Sequence, residues 1–436
     1  MDLEKFIIEN NIEFIDLKYV DLLGNLRHIT LPAKKFNLIK EKGIGFDGSS
    51  VPGFTSDKES DLLLILDLSE YFIDIIYQNK TLSFFTNIFL KKEPYYKDSR
   101  LILKKAEEIF KKEVGIDKIL FRVELEFYLL EEADFNFNKL NGYYHFLSEE
   151  KKERNLKLFY SPSYQEIPPF DKYYEFRQEI VIKAKEIGID IKYHHHENGQ
   201  FGQEEIETEF YEPVRICDKI LILKYLIRNL AKRYNKIATF IPKLFYEEPG
   251  NGLHFHFQIL KNGRNILFSK DNNLSEEGNY FIKGIFAHLK TISAFANPSP
   301  NSYRRLLSGF EAPSVLDVGV GDRNMVFRIP AYLEKEDLAI EFRLSDALCN
   351  PYLLLTSFLL AGLDGIKKKG EFKKEFQLSK SLEESLTALK EDNQFLLKEN
   401  IFKKELIDEW LKIKEKELKL ISDFPHPLEY LLYFNL

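Results

Sequence analysis

Residues 121–130, FRVELEFYLL, alternate with a period of two. Phe121, Val123, Leu125, Phe127 and Leu129 share one face, and Arg122, Glu124, Glu126 and Tyr128 share the other. The apolar face suits a buried core strand. Its back carries two carboxylates about 6.6 Å apart, at roughly 3.3 Å per residue. The pattern returns three times. In LHFHFQI, His254, His256 and Gln258 lie opposite Leu253, Phe255, Phe257 and Ile259. In AIEFRL, Glu341 and Arg343 lie opposite Ile340, Phe342 and Leu344. In EEIETEF, Glu205, Glu207 and Glu209 lie opposite Ile206, Thr208 and Phe210. One acidic strand face is compatible with plain solvation. Four strands, each with a core face and a Glu/His/Arg face, predict a sheet whose polar side lines a cleft.

The rhythm changes along the chain. Residues 1–97 are strand-rich with short polar breaks and read as a small α+β domain. Between its strands lies GFDGSSVPGFTSDKESD, residues 45–61, either a flexible surface loop or a functional one. From Asp98 to residue 436, helix and strand patterns alternate in a second, larger domain. DSRLILKKAEEIFKKEVG has an Asp N-cap candidate and a closing Gly, and DKYYEFRQEIVIKAKEIG reads as a second capped helix. The lysine-rich run KKKGEFKKEF, 367–376, reads as a solvated helix surface. The tail from about Leu378 is helical and charged.

Composition removes several classes of function. The 436 residues are 44% hydrophobic, enough for more than one core. A net charge of −7 and the absence of a basic face argue against a nucleic-acid partner. Two cysteines, Cys217 and Cys349, exclude a disulfide framework and a Cys-based zinc pattern. No signal-peptide pattern opens the chain, and the longest apolar run, YLLLTSFLLAGL, is too short to span a bilayer. These features predict a soluble, reducing, cytoplasmic setting with no membrane partner.

YHHHENGQFGQEE adds Glu197, eight residues before Glu205, with Gly199 and Gly202 between them. These glycines would let the chain double back and bring both carboxylates to one place. Glu124, Glu126, Glu197, Glu205 and Glu341 in one cleft make five negative charges. Carboxylates about 4 Å apart repel by roughly 4 kcal/mol at an effective dielectric near 20. Two divalent cations would remove most of that cost. Carboxylates with an imidazole favour Mg²⁺ or Mn²⁺ over zinc, and paired metals suit phosphoryl transfer. ATP is the natural donor, yet there is no Walker loop, so metals and arginines must hold the phosphates. Arg304, Arg305, Arg323, Arg328 and Arg343 supply guanidinium groups.

Taken together, these segments resemble type I glutamine synthetase over nearly the whole chain. FDGSSVPGF resembles its ammonium-site loop and VELEFYL its PEPEFFL strand. HHHENGQFGQEE is similar to its His-His-Glu segment, and PGNGLHFH to its Gly-rich His strand. NSYRRLLSGFEAP is similar to its substrate-arginine and flap segment, and IEFRLSDALCNPYL to its last metal-ligand strand. The resemblance implies an α+β fold: an N-terminal β-grasp domain, then a catalytic domain with an open antiparallel β-barrel flanked by helices. It implies one metal on Glu126, Glu197 and Glu205 and another on Glu124, His254 and Glu341. Arg305 would hold glutamate with Gly250, Glu311 and Arg343 nearby. Arg323 and Arg343 would stabilise the transferring phosphoryl group. Phe210, His256, Arg323 and Arg328 would lie along ATP. Asp47 and Asp61 would bind ammonium, and Glu311 would close a flap. The implied assembly is a homo-oligomer of two stacked hexameric rings with active sites shared between subunits.

Some positions depart from the family pattern. Pro249 replaces an asparagine, and Glu336 and Ala339 stand where basic residues are usual, with Lys335 nearby. No tyrosine lies between Tyr352 and Tyr430, so one subclass's adenylylation site is absent. Thr55 and Ser56 stand where another subclass has a feedback-linked arginine. Two other functions stay open on sequence: ligation of glutamate to an amine, and a catalytically silent ring protein. Asp47 and Asp61 favour ammonia, and six intact ligand positions favour catalysis.

Overall fold

The computed structural model describes residues 2–56, 59–138, 140–150, 163–306, 310, 312–332, 337–373 and 375–433. Near the N-terminus, β1 (Phe14–Val20), β2 (Leu26–Pro32), β3 (Ile44–Asp47), β4 (Asp61–Asp74), β5 (Thr81–Leu90) and β6 (Glu93–Pro94) form one sheet. Its order is β2-β1-β5-β4-β3, with β6 on β5 and a parallel β1–β5 pair at its centre. Asp47 and Asp61 close the β3–β4 pair as cross-strand partners. The long Gly/Ser/Asp segment is therefore the connection of a β-hairpin.

The second sheet is built on β7 (Lys118–Leu130). A hairpin of β8 (Glu132–Phe137) and β9 (Gly142–Leu147) follows it as a separate two-stranded sheet. The large sheet then takes β10 (Ile191–His196), β11 (Gln203–Thr208), β12 (Ile237–Thr239), β13 (Leu253–Lys261), β14 (Arg264–Asn265), β15 (Val315–Val320), β16 (Met325–Ile329) and β17 (Ile340–Phe342). Its order is β10-β11-β7-β13-β17-β16-β15, with β12 on β7 and β14 on β13. All pairs are antiparallel except β15–β16. The result is a curled half-barrel flanked by helices, and the expected α+β architecture is present.

The apolar faces of these strands make the core. Phe121, Phe257 and Phe342 pack around Phe358 with ring centroids 6.2, 5.1 and 5.2 Å away. Phe358 belongs to the helix Pro351–Lys367, whose first turn Asn350 caps through Tyr352 N–H and Leu353 N–H. This helix crosses the helix Glu276–Ala296 at two glycines. A Cβ built on Gly284 would lie 2.6 Å from Gly365 Cα, and one on Gly365 would lie 2.6 Å from Gly284 Cα. Only bare backbone fits at that crossing.

Asp98 caps the helix Ser99–Val114 as the sequence predicts. Two other helix expectations need correction. The helix Tyr174–Glu186 has no side-chain cap at its N-terminus. Asp171 instead pairs with the buried Arg177 and accepts Tyr173 N–H, since a desolvated guanidinium competes more strongly than a cap. The lysine-rich run is not helical past Lys367: Gly370 takes a left-handed φ of 68°, its N–H returns to Gly365 O, and the chain leaves the helix.

Candidate active site

Strand register turns the four alternating segments into rows on one face. Glu126 lies opposite Glu205, which lies opposite His195. In the next row, Glu124 lies between Glu207 and His254. In the third, Arg122 lies opposite His256, His256 opposite Glu341, and Glu341 opposite Arg328. A one-residue slip of any strand would turn its row to the core, so burial of the aromatic face fixes the site. Glu197 joins from the turn after β10. Glu197 N–H donates to Gln203 O at 2.8 Å, and Gly202, at φ 83°, lets the chain reverse there.

The proposed ligands are all buried. His254 Nδ1 is 2.8 Å from Glu124 Oε2, 3.7 Å from Glu126 Oε1 and 3.6 Å from Glu341 Oε1. His254 Nε2 lies 3.2 Å from Arg305 Nη2, which leaves Nδ1 to face the carboxylates. His256 Nε2 meets Glu124 Oε1 at 2.8 Å. Glu126 Oε2 accepts Gly252 N–H at 2.7 Å. Glu341 is held by Arg328 Nη1 at 2.8 Å and by Arg343 Nη1.

Electrostatics divide these carboxyls. Burial pushes Glu197 well above the ordinary carboxylate range, and the nearby Glu205 and Glu126 add to it. Glu205 is raised in the same way by burial and by Glu124 and Glu126. Burial also acts against the charged form of Glu124, but His256 and His254 overcome it and hold the carboxyl low. Arg343 overcomes the burial of Glu341 likewise. Two groups could hold cations here: Glu124, His256 and Glu341, and His195, Glu197 and Glu205. The donor set is mainly hard oxygen with imidazole, which fits a divalent cation.

Two adjoining cavities cover this face. One, of about 290 Å³, is lined by Glu126, Gly250, His254, Arg305, Arg323 and Arg343 among others. Pro249 lines it too, and its carbonyl accepts the Tyr128 hydroxyl at 2.8 Å. The second, of about 370 Å³, shares Glu124, Glu197, Glu205, Arg323 and Arg343 and extends to Arg328 and Tyr332. Phe210 lies beside the same face, under Arg122 at 4.8 Å.

Asp47 and Asp61 line neither cavity. Asp47 is exposed and accepts Ser49 N–H at 2.9 Å and the Ser49 and Ser50 hydroxyls at 2.6 Å. These bonds lower its carboxyl. Ala339 is fully buried and offers no charge. Glu311, Lys335 and Glu336 lie outside the described residues.

Sequence reasoning passed over His195, Tyr332 and Arg122. His195 sat in a three-histidine run that also suits a surface. Arg122 stood on the polar face of β7, and only the register shows which row it joins.

Comparison with known proteins agrees with this geometry. Residues 96–433 match the family described as glutamine synthetase, catalytic domain, and residues 11–91 match glutamine synthetase, beta-Grasp domain. A protein named glutamine synthetase from Frankia alni is 35% identical over 100% of this chain and 99% of its own. One from Aquifex aeolicus is 36% identical over 99% and 97%. A cryo-EM structure of Plasmodium falciparum glutamine synthetase superposes with a TM-score of 0.91 at 28% identity, covering 99% of this chain and 98% of that one. The chain belongs to the glutamine synthetase family, whose members are glutamate–ammonia ligases. No helix among the described residues is long and apolar enough to cross a membrane.

Proposed function

We propose that the cleft joins ammonia to the γ-carboxylate of glutamate through γ-glutamyl phosphate, in the cytoplasm. The observation that carries this reading is the set of three cross-strand rows, which gathers Glu124, Glu126, Glu205, His254 and Glu341 on one buried face. Residues 98–436 form the catalytic domain in this reading, and residues 1–97 present the Asp47 loop.

Glu126, Glu197 and Glu205 hold one divalent cation, and Glu124, His254 and Glu341 hold the other. When bound, Mg²⁺ or Mn²⁺ offsets the carboxylate charge and polarises the phosphate oxygens of ATP. Arg305, with Gly250 beside it, takes the α-carboxylate of glutamate as a planar fork. Glutamate's γ-carboxylate oxygen attacks the γ-phosphorus, and the bond to ADP breaks. Arg323 and Arg343 stabilise the charge on the moving phosphoryl group. Phe210, His256 and Arg328 lie along the nucleotide. Asp47, with Asp61, binds ammonium and takes a proton from it. The freed ammonia attacks the acyl carbon, and phosphate leaves. Glu311 shields the intermediate from water.

Asp47 is exposed and lines neither cavity of its own cleft, which supports a site completed by a neighbour in a homo-oligomer of two stacked hexameric rings. The exposed Phe135, Leu140 and Tyr144 of the β8–β9 hairpin support assembly too. Phosphate release with ATP, glutamate and ammonium tests the reading, against methylamine and putrescine in place of ammonium. Release with ammonium well above either amine is the expected result. Preference for an amine makes the chain an amine ligase of the same fold, and no release with any makes it silent.

A further inference from the structure

At one end of the polar sheet face, five buried side-chain atoms make no hydrogen bond among the described residues: Arg122 Nε and Nη2, Arg328 Nε, His256 Nδ1 and Glu207 Oε2. Arg122, His256 and Arg328 belong to the third cross-strand row, and Glu207 sits in the row beside it. Arg122 lies flat on Phe210, with its guanidinium carbon 4.8 Å from the ring centroid. Its Nε is 2.8 Å from Glu207 Oε1, an ion pair too misaligned to be a hydrogen bond. Tyr332, 66% exposed, lines the second cavity with Glu124 and Arg328. Burial raises its phenol, and the charges of Arg328, Glu207, Glu124 and Arg122 all reach it. These side chains therefore converge at one place.

Buried polar atoms without partners are rare in folded proteins, and several together mark a missing partner. Three of the five are guanidinium N–H donors and one is a carboxylate acceptor. Arg122 Nε already lies against Glu207, so Arg122 Nη2 and Arg328 Nε are the donors left over, and they call for oxygen acceptors, which the ribose and phosphates of a nucleotide provide. Across the sheet, the position two residues before Glu341 is the buried, uncharged Ala339. Positive charge at this end of the cleft therefore comes from Arg122 of β7 and Arg328 of β16.

Resting on the ATP reading above, we propose that Arg122 is a nucleotide-binding residue of this chain. Its guanidinium plane stays on Phe210 while Nη2 donates to an oxygen of the nucleotide's ribose–phosphate portion. An arginine can stack and donate in the plane at once, which a lysine cannot.

Arg122→Met keeps the apolar stem and removes the donors. ADP binding to the assembled chain with Mg²⁺, followed by titration calorimetry, should weaken about tenfold. The ATP KM should rise in parallel, with the KM for glutamate and for ammonium unchanged. Arg122→Lys should recover part of the loss. Adenosine, titrated alongside, separates the two sources of oxygen: a loss shared with adenosine places the contact on ribose, and a loss confined to ADP places it on phosphate. Unchanged ADP binding in the Met variant overturns the proposal, as does an equal rise in the glutamate KM, which would mean general distortion. Thermal melting checks that the variant folds. If it does not, Arg122→Gln carries the same expectations. A folded wild-type chain that fails to bind ADP overturns the ATP reading itself, whereas normal wild-type binding with an unaffected variant overturns only the role of Arg122.

Discussion

Glu341 and Glu205 are both buried on the same sheet face, and the protein treats their charges differently. Glu341 is clasped by Arg328 and Arg343, and Arg343, helped by His256 and His254, holds its carboxyl below the ordinary range despite burial. Among the described residues Glu205 pairs with His195 Nε2 at 3.3 Å, and burial with the neighbouring carboxylates, Glu124 and Glu126 foremost, drives it well above that range. Glu197 shares its condition. The β17 side of the cleft thus carries its own cations. The β11 side is short of positive charge, and an added cation gains most there. A site can be preassembled on one side and left electrostatically unfinished on the other.

The largest expected effect comes from breaking the unfinished side. Glu126→Ala removes a proposed ligand and relieves repulsion, so ligase turnover at ordinary Mg²⁺ should fall by more than about 100-fold while the metal-free fold persists. Near-normal turnover would mean that the ligand assignment is wrong.

The Asp47 loop is a third region, outside both sides, and it can be tested by sharing. Asp47→Ala and Arg343→Ala should each be inactive. Unfolded and refolded together, they should recover to about a quarter of wild-type activity, the share of randomly mixed interfaces that pair an intact loop with an intact cleft. Mixed assemblies that form, as shown by tagged co-purification, yet stay dead would place the whole site within one chain.

Smaller effects should separate the two sides by sign. In EDTA, Glu341→Gln strands two arginines and should lower stability by about 2 kcal/mol or more. Glu205→Gln removes a repelled charge and should raise it by about 1 kcal/mol. Equal signs in thermal melts would erase the contrast. Added Mn²⁺ should then raise the melting temperature of wild type more than that of Glu205→Gln, since only wild type keeps the full set of carboxylates for the cation.

Much of this site was legible because strand alternation exposes a face. Glu124, Glu126, His254, His256 and Glu341 could each be assigned to a polar side from sequence. Their partners could not. That Glu205 faces Glu126, and that Arg122 shares a row with Arg328, depends on pairings between positions as far apart as Lys118 and Leu260, set by the packing of the aromatic face. The three-histidine run shows the limit well. His195 reaches Glu205 and Glu197, while the next residue, His196, turns to the other face and binds Glu150 at 2.9 Å. Asp171 and the lysine-rich run were misread because a buried arginine and a left-handed glycine outweighed local helix signals.

Behind all of this lies the crossing at Gly284 and Gly365. The helix Pro351–Lys367 carries Phe358, which touches the aromatic backs of β7, β13 and β17, the strands whose fronts bear Glu124, His254 and Glu341. Even one methyl group at the crossing would wedge the helices apart and press that displacement through Phe358 into the floor of the cleft. Chemistry on the front of the sheet is thus hostage to two hydrogen atoms on its far side, and variation that never meets a substrate could still detune the enzyme from there.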